Sequence, residues 1–212
     1  MINKTVSVII CAFNEEITIG HVLRKLKDID FVTEIIAVDN GSVDKTFDIL
    51  EESSKLDSRL KVFQIKKNIG LGYGLKHAIN QTKCDIVVRQ DADLEYDPFE
   101  IINLVEQIDN GNANVVYGSR ILVRKAHKVH YFYNYIANKL LTFLNNLVTN
   151  LFLSDVETAS KAFDGDTIRS VNIKSKGFEI ENELTIKLKK ISCTFYEVPI
   201  SYYGRSFKEG KK

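Results

Sequence analysis

Three acidic side chains at alternating positions follow an apolar run at residues 85–89. They are Asp91, Asp93 and Glu95. Carboxylate oxygens are the ligands that Mg²⁺ and Mn²⁺ prefer, and two carboxylates one residue apart leave coordination positions open for substrate phosphate oxygens. We therefore interpret Asp91 and Asp93 as ligands of a divalent metal ion. The alternative is an acidic turn ahead of a helix, with Asp97 as its N-cap.

Strand-like and helix-like segments alternate through the first half of the chain, and this pattern must position the acids. Alternation of this kind predicts right-handed βαβ crossovers and a mainly parallel sheet in an α/β fold. Ligands bind at the carboxyl ends of the strands in such a sheet, where Asp91 and Asp93 would stand. The predicted strands are 6–12, 34–38, 61–65, 85–89 and 115–118, and the predicted helices end near residues 26, 55, 82 and 110.

A long segment without glycine or proline, 130–153, opens the second half, and its apolar residues recur at helical spacing. The segment is long enough to cross a bilayer, but its asparagines and Lys139 argue against a span, because unpaired amides cost free energy in lipid. We interpret it as a soluble amphipathic helix, with docking at a membrane surface as the alternative. Beyond it we predict a strand over 160–163, a helix over 178–190 and a strand over 194–200.

The composition is that of an ordinary globular protein. Of 212 residues, 44% are hydrophobic and 27% are charged, and the net charge of +1 does not indicate a nucleic-acid partner. The three cysteines are far apart, so neither a disulfide framework nor a zinc site is expected, and buried thiols in a reducing cytosol are the default. No secretory signal is visible at the amino terminus.

Charge is distributed unevenly along the chain. Asp and Glu are absent between Asp109 and Asp155. A local basic surface that faces an anion is therefore predicted, with a solvated basic face as the alternative. The basic residues inside the interval are Arg120, Arg124, Lys125, Lys128 and Lys139.

Carboxylates also follow the first two predicted strands, at Glu15 and Asp39. A carboxylate can accept hydrogen bonds from a nucleoside base or from ribose hydroxyls, although both positions also suit an ordinary turn or helix cap. The glycines at 70, 72 and 74 lack the spacing of a dinucleotide fingerprint, which disfavours a Rossmann dehydrogenase. They are expected to permit close approach of this loop to a ligand or to a neighbouring strand.

Taken together, these motifs resemble the family-2 glycosyltransferases of the GT-A fold, and most closely the branch that transfers mannose or glucose to polyprenyl (dolichyl) phosphate. In the first half the motifs are Ala12-Phe13-Asn14-Glu15-Glu16, Asp39-Asn40-Gly41-Ser42, Asn68-Ile69-Gly70, Asp91-Ala92-Asp93 and Gly118-Ser119-Arg120. In the second half they are Asp155-Val156-Glu157-Thr158, Lys161-Ala162-Phe163, Phe178-Glu179-Ile180-Glu181, Glu197-Val198-Pro199 and Tyr203-Gly204-Arg205.

The resemblance implies a role for each matching position. Asp91 and Asp93 would hold Mg²⁺ or Mn²⁺ and the sugar diphosphate, with Glu95 as a third metal ligand. Arg120 would face a donor or acceptor phosphate. Contacts to the nucleotide-sugar donor would come from Ala12, Phe13, Glu15, Asp39, Asn68, Gly70, Arg205 and Lys211.

The implied activity is metal-dependent, inverting transfer of a hexose from a nucleotide-diphosphate sugar, of the GDP-mannose or UDP-glucose type, to a polyprenyl phosphate. Asp155 is the expected base if the acceptor is a hydroxyl, and it would otherwise orient the sugar or acceptor. Such a protein would be cytoplasmic and peripheral at the cytoplasmic face of a membrane. The alternatives are transfer to a saccharide hydroxyl in cell-surface polysaccharide synthesis and a non-catalytic nucleotide-sugar-binding domain.

We expect one GT-A domain over residues 1–212, with a nucleotide-sugar-binding half at 1–119, an acceptor-side half at 120–201 and a basic, mobile tail at 202–212. Ala159-Ser160 departs from the pair usual in the family. The acids Glu179, Glu181 and Glu183 are interpreted as a solvated helix start, with contact between Glu181 and the sugar as the alternative.

Overall fold

The structure is a computed structural model that describes residues 2–122 and 132–205. Its strands are β1 (Val6–Ala12), β2 (Glu34–Asp39), β3 (Leu60–Gln64), β4 (Ile86–Arg89), β5 (Val115–Ser119), β6 (Lys161–Asp164) and β7 (Phe195–Pro199). Its helices are α1 (Ile19–Lys27), α2 (Thr46–Ser54), α3 (Leu71–Gln81), α4 (Ile101–Asp109), α5 (Phe132–Thr149), α6 (Gly165–Ser170) and α7 (Ile180–Lys190), and a 3₁₀ turn at Pro98–Glu100 precedes α4.

The seven strands form one sheet in the order β3-β2-β1-β4-β6-β5-β7. All neighbouring pairs are parallel except those that involve β6, which runs antiparallel to both β4 and β5. The carboxyl ends of the other six strands therefore meet at one edge of the sheet, together with the first residue of β6, Lys161. This edge carries the candidate site.

Helices cover both faces of the sheet, because the central strands are apolar on both faces. On one face, α1, α2 and α4 pack against alternate residues of β1, such as Val8 and Ile10. On the other, α3, α6 and α7 pack with Ile9 and Val38. The strands are thereby fixed in two hydrophobic layers that hold the loops at their ends in place.

Each predicted strand is present, with ends that differ from the prediction by at most one residue. The mainly parallel sheet is confirmed. The six-residue helix α6 was not predicted, because so short a segment carries no helical period. Gly74, in α3, makes the expected close approach to a strand, since a Cβ there would lie 2.3 Å from Cys11 Sγ in β1. A Cβ at Gly70 would lie 2.3 Å from the carbonyl oxygen of Lys176, which is not part of a strand.

Helix α5 turns its polar side toward the protein and its apolar side outward. Its buried residues are Thr142, Asn145 and Thr149. We call the exposed large side chains on and just after this helix the outer apolar face of α5. This face consists of Phe132, Tyr133, Tyr135, Ile136, Leu140, Leu141, Phe143, Leu144, Leu147, Val148 and Phe152. The helical period was predicted, whereas the periodicity alone did not indicate which side would be covered.

No helix in the described part of the chain has both the length and the hydropathy needed to cross a membrane.

Candidate functional site

A cavity of about 490 Å³ opens where the parallel strands end. This volume lies in the range typical of small-molecule sites. The loop after β1 contributes Phe13 and Glu15, and β4 is followed by Asp91 and Asp93. The other predicted site residues on its wall are Asn68, Gly70, Glu95, Arg120 and Arg205. The structure thus gathers in one place residues that the sequence spreads from position 13 to position 205.

The acids at the end of β4 form a strongly negative group. Burial, with the negative charges of Asp91 and Glu95, raises the pKa of Asp93 to about 7. Burial also raises the pKa of Asp91, although the neighbouring Arg89 acts in the opposite direction. Carboxylates that repel one another in this way are stabilised by a divalent cation, so the donor set fits Mg²⁺ or Mn²⁺.

Within the described residues, no three Asp, Glu, His or Cys side chains are grouped so that they could hold a metal ion by themselves. Two carboxylates are nevertheless a common protein contribution to a Mg²⁺ site, because substrate phosphates supply further oxygens there. Asp91 and Asp93 suit that arrangement.

The C-terminal segment folds across these acids. Arg205 donates to both oxygens of Glu15, at 3.1 and 3.2 Å, and to Asp93 at 3.2 Å. Glu95 accepts from the Arg205 backbone N–H at 2.7 Å and from the Tyr202 hydroxyl at 2.6 Å. Arg205 is therefore hydrogen-bonded to Glu15 and to Glu95. Glu15 and Arg205 were predicted to contact the nucleotide sugar, and Glu95 was predicted to bind the metal ion. Lys211 lies outside the described residues.

A chain of three buried charged side chains stands behind Asp91. Arg89 donates to Asp91 at 3.2 Å and also pairs with Glu181, and Glu181 pairs with Lys161. Burial alone would raise the pKa of the Glu181 carboxyl, but the charges of Arg89 and Lys161 hold it below its usual value. The interpretation of Glu181 as a solvated helix residue is wrong, because its side chain is only 4% exposed.

Arg120, just after β5, is held by Asp155. Its Nε and Nη2 donate to the two carboxylate oxygens at 2.7 and 2.8 Å, and its backbone N–H adds a third bond at 3.2 Å. Asn138 of α5 donates a fourth at 2.8 Å. The guanidinium carbon lies 5.1 Å from the centre of the Tyr202 ring, a cation–π contact.

Asp155 itself is fully buried and does not line the cavity. Burial would raise the pKa of its carboxyl, but the bonds and charge of Arg120 hold it below the usual value. A carboxylate with this low pKa and four hydrogen bonds is a weak base. The role of Asp155 as the base stays a prediction. Its contacts suit a different task, which is to hold the Arg120 guanidinium in position.

On the opposite side of the cavity, the loops after β2 and β3 are joined through Asn40. Its amide donates to Asn68 at 3.2 Å and to the Gly70 carbonyl at 3.1 Å. Asp39 is fully buried beside it, and Oδ2 of Asp39 has no hydrogen-bond partner among the described residues. Ala12 is also fully buried. An unpaired buried acceptor costs about 1–3 kcal/mol, which a ligand donor at that atom would offset.

The cavity residues that were not predicted as site residues include Arg89, Tyr202 and Glu157. Glu157 accepts from Asn182 at 2.8 Å, and burial, followed by the charge of Glu181, raises its pKa. Glu157 lies within the motif that begins at Asp155, so its position two residues further could have indicated it. Arg89 is part of a strand, where an arginine in an otherwise apolar run is itself a signal of a buried ion pair.

The match to known families decides what this architecture is. The family model described as glycosyl transferase family 2 matches residues 7–166, which hold β1 to β6 and most of the cavity. The chain belongs to glycosyl transferase family 2. It is therefore a glycosyltransferase, and its α/β architecture is the GT-A-like fold.

Two relatives agree with this family. The glycosyltransferase is 33% identical over 218 residues to the UDP-N-acetylglucosamine–dolichyl-phosphate N-acetylglucosaminyltransferase of Methanococcus voltae, a match that covers 94% of this chain and 86% of the relative. It is 26% identical over 218 residues to the undecaprenyl-phosphate mannosyltransferase of Micrococcus luteus, which covers 96% of this chain and 85% of the relative.

Among solved structures, the glucosyl-3-phosphoglycerate synthase of Mycobacterium tuberculosis in complex with Mg²⁺ and UDP has a TM-score of 0.73 and 22% identity. The match covers 98% of this glycosyltransferase and 74% of that chain. At this identity the likeness shows the fold alone.

Proposed function

We propose that the protein catalyses metal-dependent, inverting transfer of a hexose from a nucleotide-diphosphate sugar, of the GDP-mannose or UDP-glucose type, to a polyprenyl phosphate. The observation that carries the proposal is the meeting of Asp91 and Asp93 with Arg120 in one cavity, which offers a cation site for a diphosphate and a guanidinium for a second anion. The names of the Methanococcus and Micrococcus relatives support an acceptor of this kind.

Asp91 and Asp93 would hold Mg²⁺ or Mn²⁺. Bound there, the cation would supply positive charge that offsets the negative charge of a departing diphosphate. Solved structures of the same fold that contain Mg²⁺ or Mn²⁺ with UDP support this choice of cation. Arg205 stands beside Asp93 and adds a second positive charge on the same side of the cavity.

The transfer itself needs little proton chemistry if the acceptor is a phosphate. An acceptor phosphate oxygen attacks the anomeric carbon, the bond from that carbon to the donor diphosphate breaks, and the nucleoside diphosphate leaves with the electron pair. The new bond forms on the opposite side of the sugar, which inverts the anomeric centre. Arg120 would bind the acceptor phosphate, and Asp155 with Asn138 would hold the guanidinium in position.

A saccharide hydroxyl is the second candidate acceptor, and Glu157 is the observation that favours it. A hydroxyl must lose a proton as it attacks, so the site needs a base. Glu157 lines the cavity and its pKa is raised by burial, whereas the carboxylate of Asp155 is engaged by Arg120. Under this alternative Glu157 would act as the base.

For the donor, we expect Asp39→Asn to raise KM severalfold while changing kcat little. The new amide would place N–H groups at the position of Oδ2, which has no hydrogen-bond partner in the described part of the chain and would accept a hydrogen bond from the base. Because a base contact is made equally in the ground state and the transition state, its loss affects KM more than kcat. A thermal-shift panel of GDP- and UDP-sugars with Mn²⁺ provides the direct measurement, because a ligand that binds the folded state raises its melting temperature. Unaltered donor affinity in the variant would contradict the assignment of Asp39 to the nucleoside site.

For the acceptor, we expect Arg120→Ala to reduce transfer to a polyprenyl phosphate on the order of a hundredfold, the loss expected for a charge-assisted contact worth about 1.5–3 kcal/mol. Hydrolysis of the donor without acceptor should change much less. Arg120→Lys should retain part of the activity, because it keeps the charge and a partner for Asp155. Arg24→Ala, on the exposed side of α1, serves as the control. Equal losses of transfer and hydrolysis would contradict the acceptor role.

The proposed acceptor is an amphiphile. We therefore propose that the protein acts as a peripheral cytoplasmic protein at the cytoplasmic face of a membrane.

A further inference from the structure

The outer apolar face of α5 is exposed to a degree that needs an explanation. Leu147 is 71% exposed and Phe152 is 99% exposed, and the face runs along five turns of helix. Contiguous apolar surfaces of this kind on soluble proteins mark interaction sites. The catalytic cavity does not use these side chains, since none of them lines it.

Polar contacts on the inner side fix the orientation of the helix. Asn145 donates to Asn182 of α7 at 2.9 Å, and Thr142 accepts from the Val156 backbone N–H at 3.2 Å. Asn146 exchanges two bonds with the backbone of Leu153, at 2.8 and 3.0 Å. Rotating α5 to bury its apolar side would leave these amides and backbone groups without their partners, which costs free energy. The outward apolar face is therefore built into the fold.

The charge of the sequence segment that contains α5 favours one kind of partner. No Asp or Glu occurs from residue 110 to residue 154, and Lys139 lies on α5 itself. An anionic surface complements this segment, whereas a second copy of the chain packed on the same face would bring two basic segments together. Amphipathic helices that lie in a membrane interface combine apolar burial with this kind of attraction to anionic lipids.

The same helix is joined to the cavity. Asn138, on its inner side, donates to Asp155, and Asp155 holds Arg120 on the cavity wall. A surface bound by the outer face of α5 would therefore lie across this helix from Asn138, whose contact with Asp155 leads to the arginine proposed to take the acceptor phosphate.

We propose that the outer apolar face of α5 docks the protein on a lipid bilayer with anionic headgroups, with the helix axis in the plane of the interface. The inference rests on the proposed function in one respect, because the proposed acceptor resides in such a surface. Docking keeps the apolar side chains in the lipid and leaves the inner amides bonded to the protein.

Co-sedimentation with vesicles tests the inference without donor or acceptor. The vesicles contain phosphatidylcholine alone or an equal mixture of phosphatidylcholine and phosphatidylglycerol. We expect the wild-type protein to bind the mixed vesicles, to bind the neutral ones more weakly, and to lose part of the difference at high salt. The triple variant Leu140→Gln, Phe143→Gln and Leu147→Gln should lose on the order of a hundredfold in partitioning to the mixed vesicles.

A matched triple variant controls for the loss of exposed apolar groups in general. Val43→Gln, Leu56→Gln and Ile191→Gln remove side chains that are also more than half exposed but lie elsewhere. This variant should bind the mixed vesicles like the wild type. Circular dichroism and the melting temperature establish that both variants fold. The salt dependence of vesicle binding by the wild type tests the charge contribution without any substitution.

Two results with the α5 variant would overturn the docking inference. One is equal vesicle binding by the wild type and the α5 variant. The other is a lipid-free dimer in sedimentation velocity that the α5 variant abolishes, because the face would then belong to a second copy. A wild type that binds vesicles but transfers no sugar to polyprenyl phosphate contradicts the proposed function alone. A wild type that transfers sugar to a short-chain acceptor but does not bind vesicles contradicts docking alone.

Discussion

Asp93→Asn is expected to abolish metal-dependent donor binding and to lower turnover on the order of a thousandfold, while the protein stays folded. The substitution removes one charge from the pair that would hold the cation, and metal stabilisation of a leaving group contributes several kcal/mol to catalysis. The measurements are turnover and the Mn²⁺-dependent thermal shift caused by the donor. Asp97→Asn is the matched control, because Asp97 is a nearby carboxylate that pairs with Lys25 and does not line the cavity.

The stability of the same variant provides a separate check. The pKa of Asp93 is raised to about 7 in the folded protein from an ordinary value of 3.8. Because a carboxyl with a raised pKa binds its proton more tightly in the folded state, its ionisation lowers stability as pH increases from about 4 to 7. Without metal at neutral pH, Asp93→Asn should therefore melt no lower than the wild type. Turnover equal to that of the wild type would contradict the assignment of Asp93 as a metal ligand.

Glu181→Ala is expected to lower the free energy of unfolding by about 3–5 kcal/mol, the usual effect of removing one partner from a buried ion pair. The loss would leave Lys161 buried without its carboxylate and Arg89 with Asp91 alone. Urea denaturation is the measurement, and Glu106→Gln on the exposed side of α4 is the control.

A double variant tests whether the charges act as one group. Glu181→Leu combined with Lys161→Met removes both members of one pair, so it should cost less than the sum of the two single changes. Strict additivity, or a loss below about 1 kcal/mol for Glu181→Ala, would contradict the coupled network, since exposed pairs contribute no more than that.

Local sequence patterns predicted the strands because each is a short apolar run between turn residues. They did not predict that β6 lies between β4 and β5 in the opposite direction. That position depends on the pairing of Arg89 with Lys161 and of Tyr117 with Lys161, residues that are far apart in the chain. Strand order is set by such long-range packing, which apolar periodicity does not encode.

The candidate site, like the fold, was predicted only in part. Asp91 and Asp93 were predicted because they follow a strand at the ligand-binding edge of the sheet, and Arg120 was predicted from the family resemblance. All three line one cavity. Glu181 was misinterpreted because acids at a helix start are usually solvated, and its partner Arg89 is 92 residues away. The orientation of α5 was not predictable for a similar reason, because its inner polar side chains Thr142 and Asn145 pair with residues that follow the helix in sequence.

The central claim is transfer of a hexose to a polyprenyl phosphate, and radiolabelled sugar transfer tests it most directly. Wild-type protein is incubated with Mn²⁺ and labelled GDP-mannose or UDP-glucose, and the acceptors are a short-chain polyprenyl phosphate and a panel of free saccharides. We predict label in the lipid phosphate product with inverted anomeric configuration, and none in the saccharides. Label in a saccharide, with the lipid phosphate untouched, would contradict the proposed acceptor and make Glu157 the expected base.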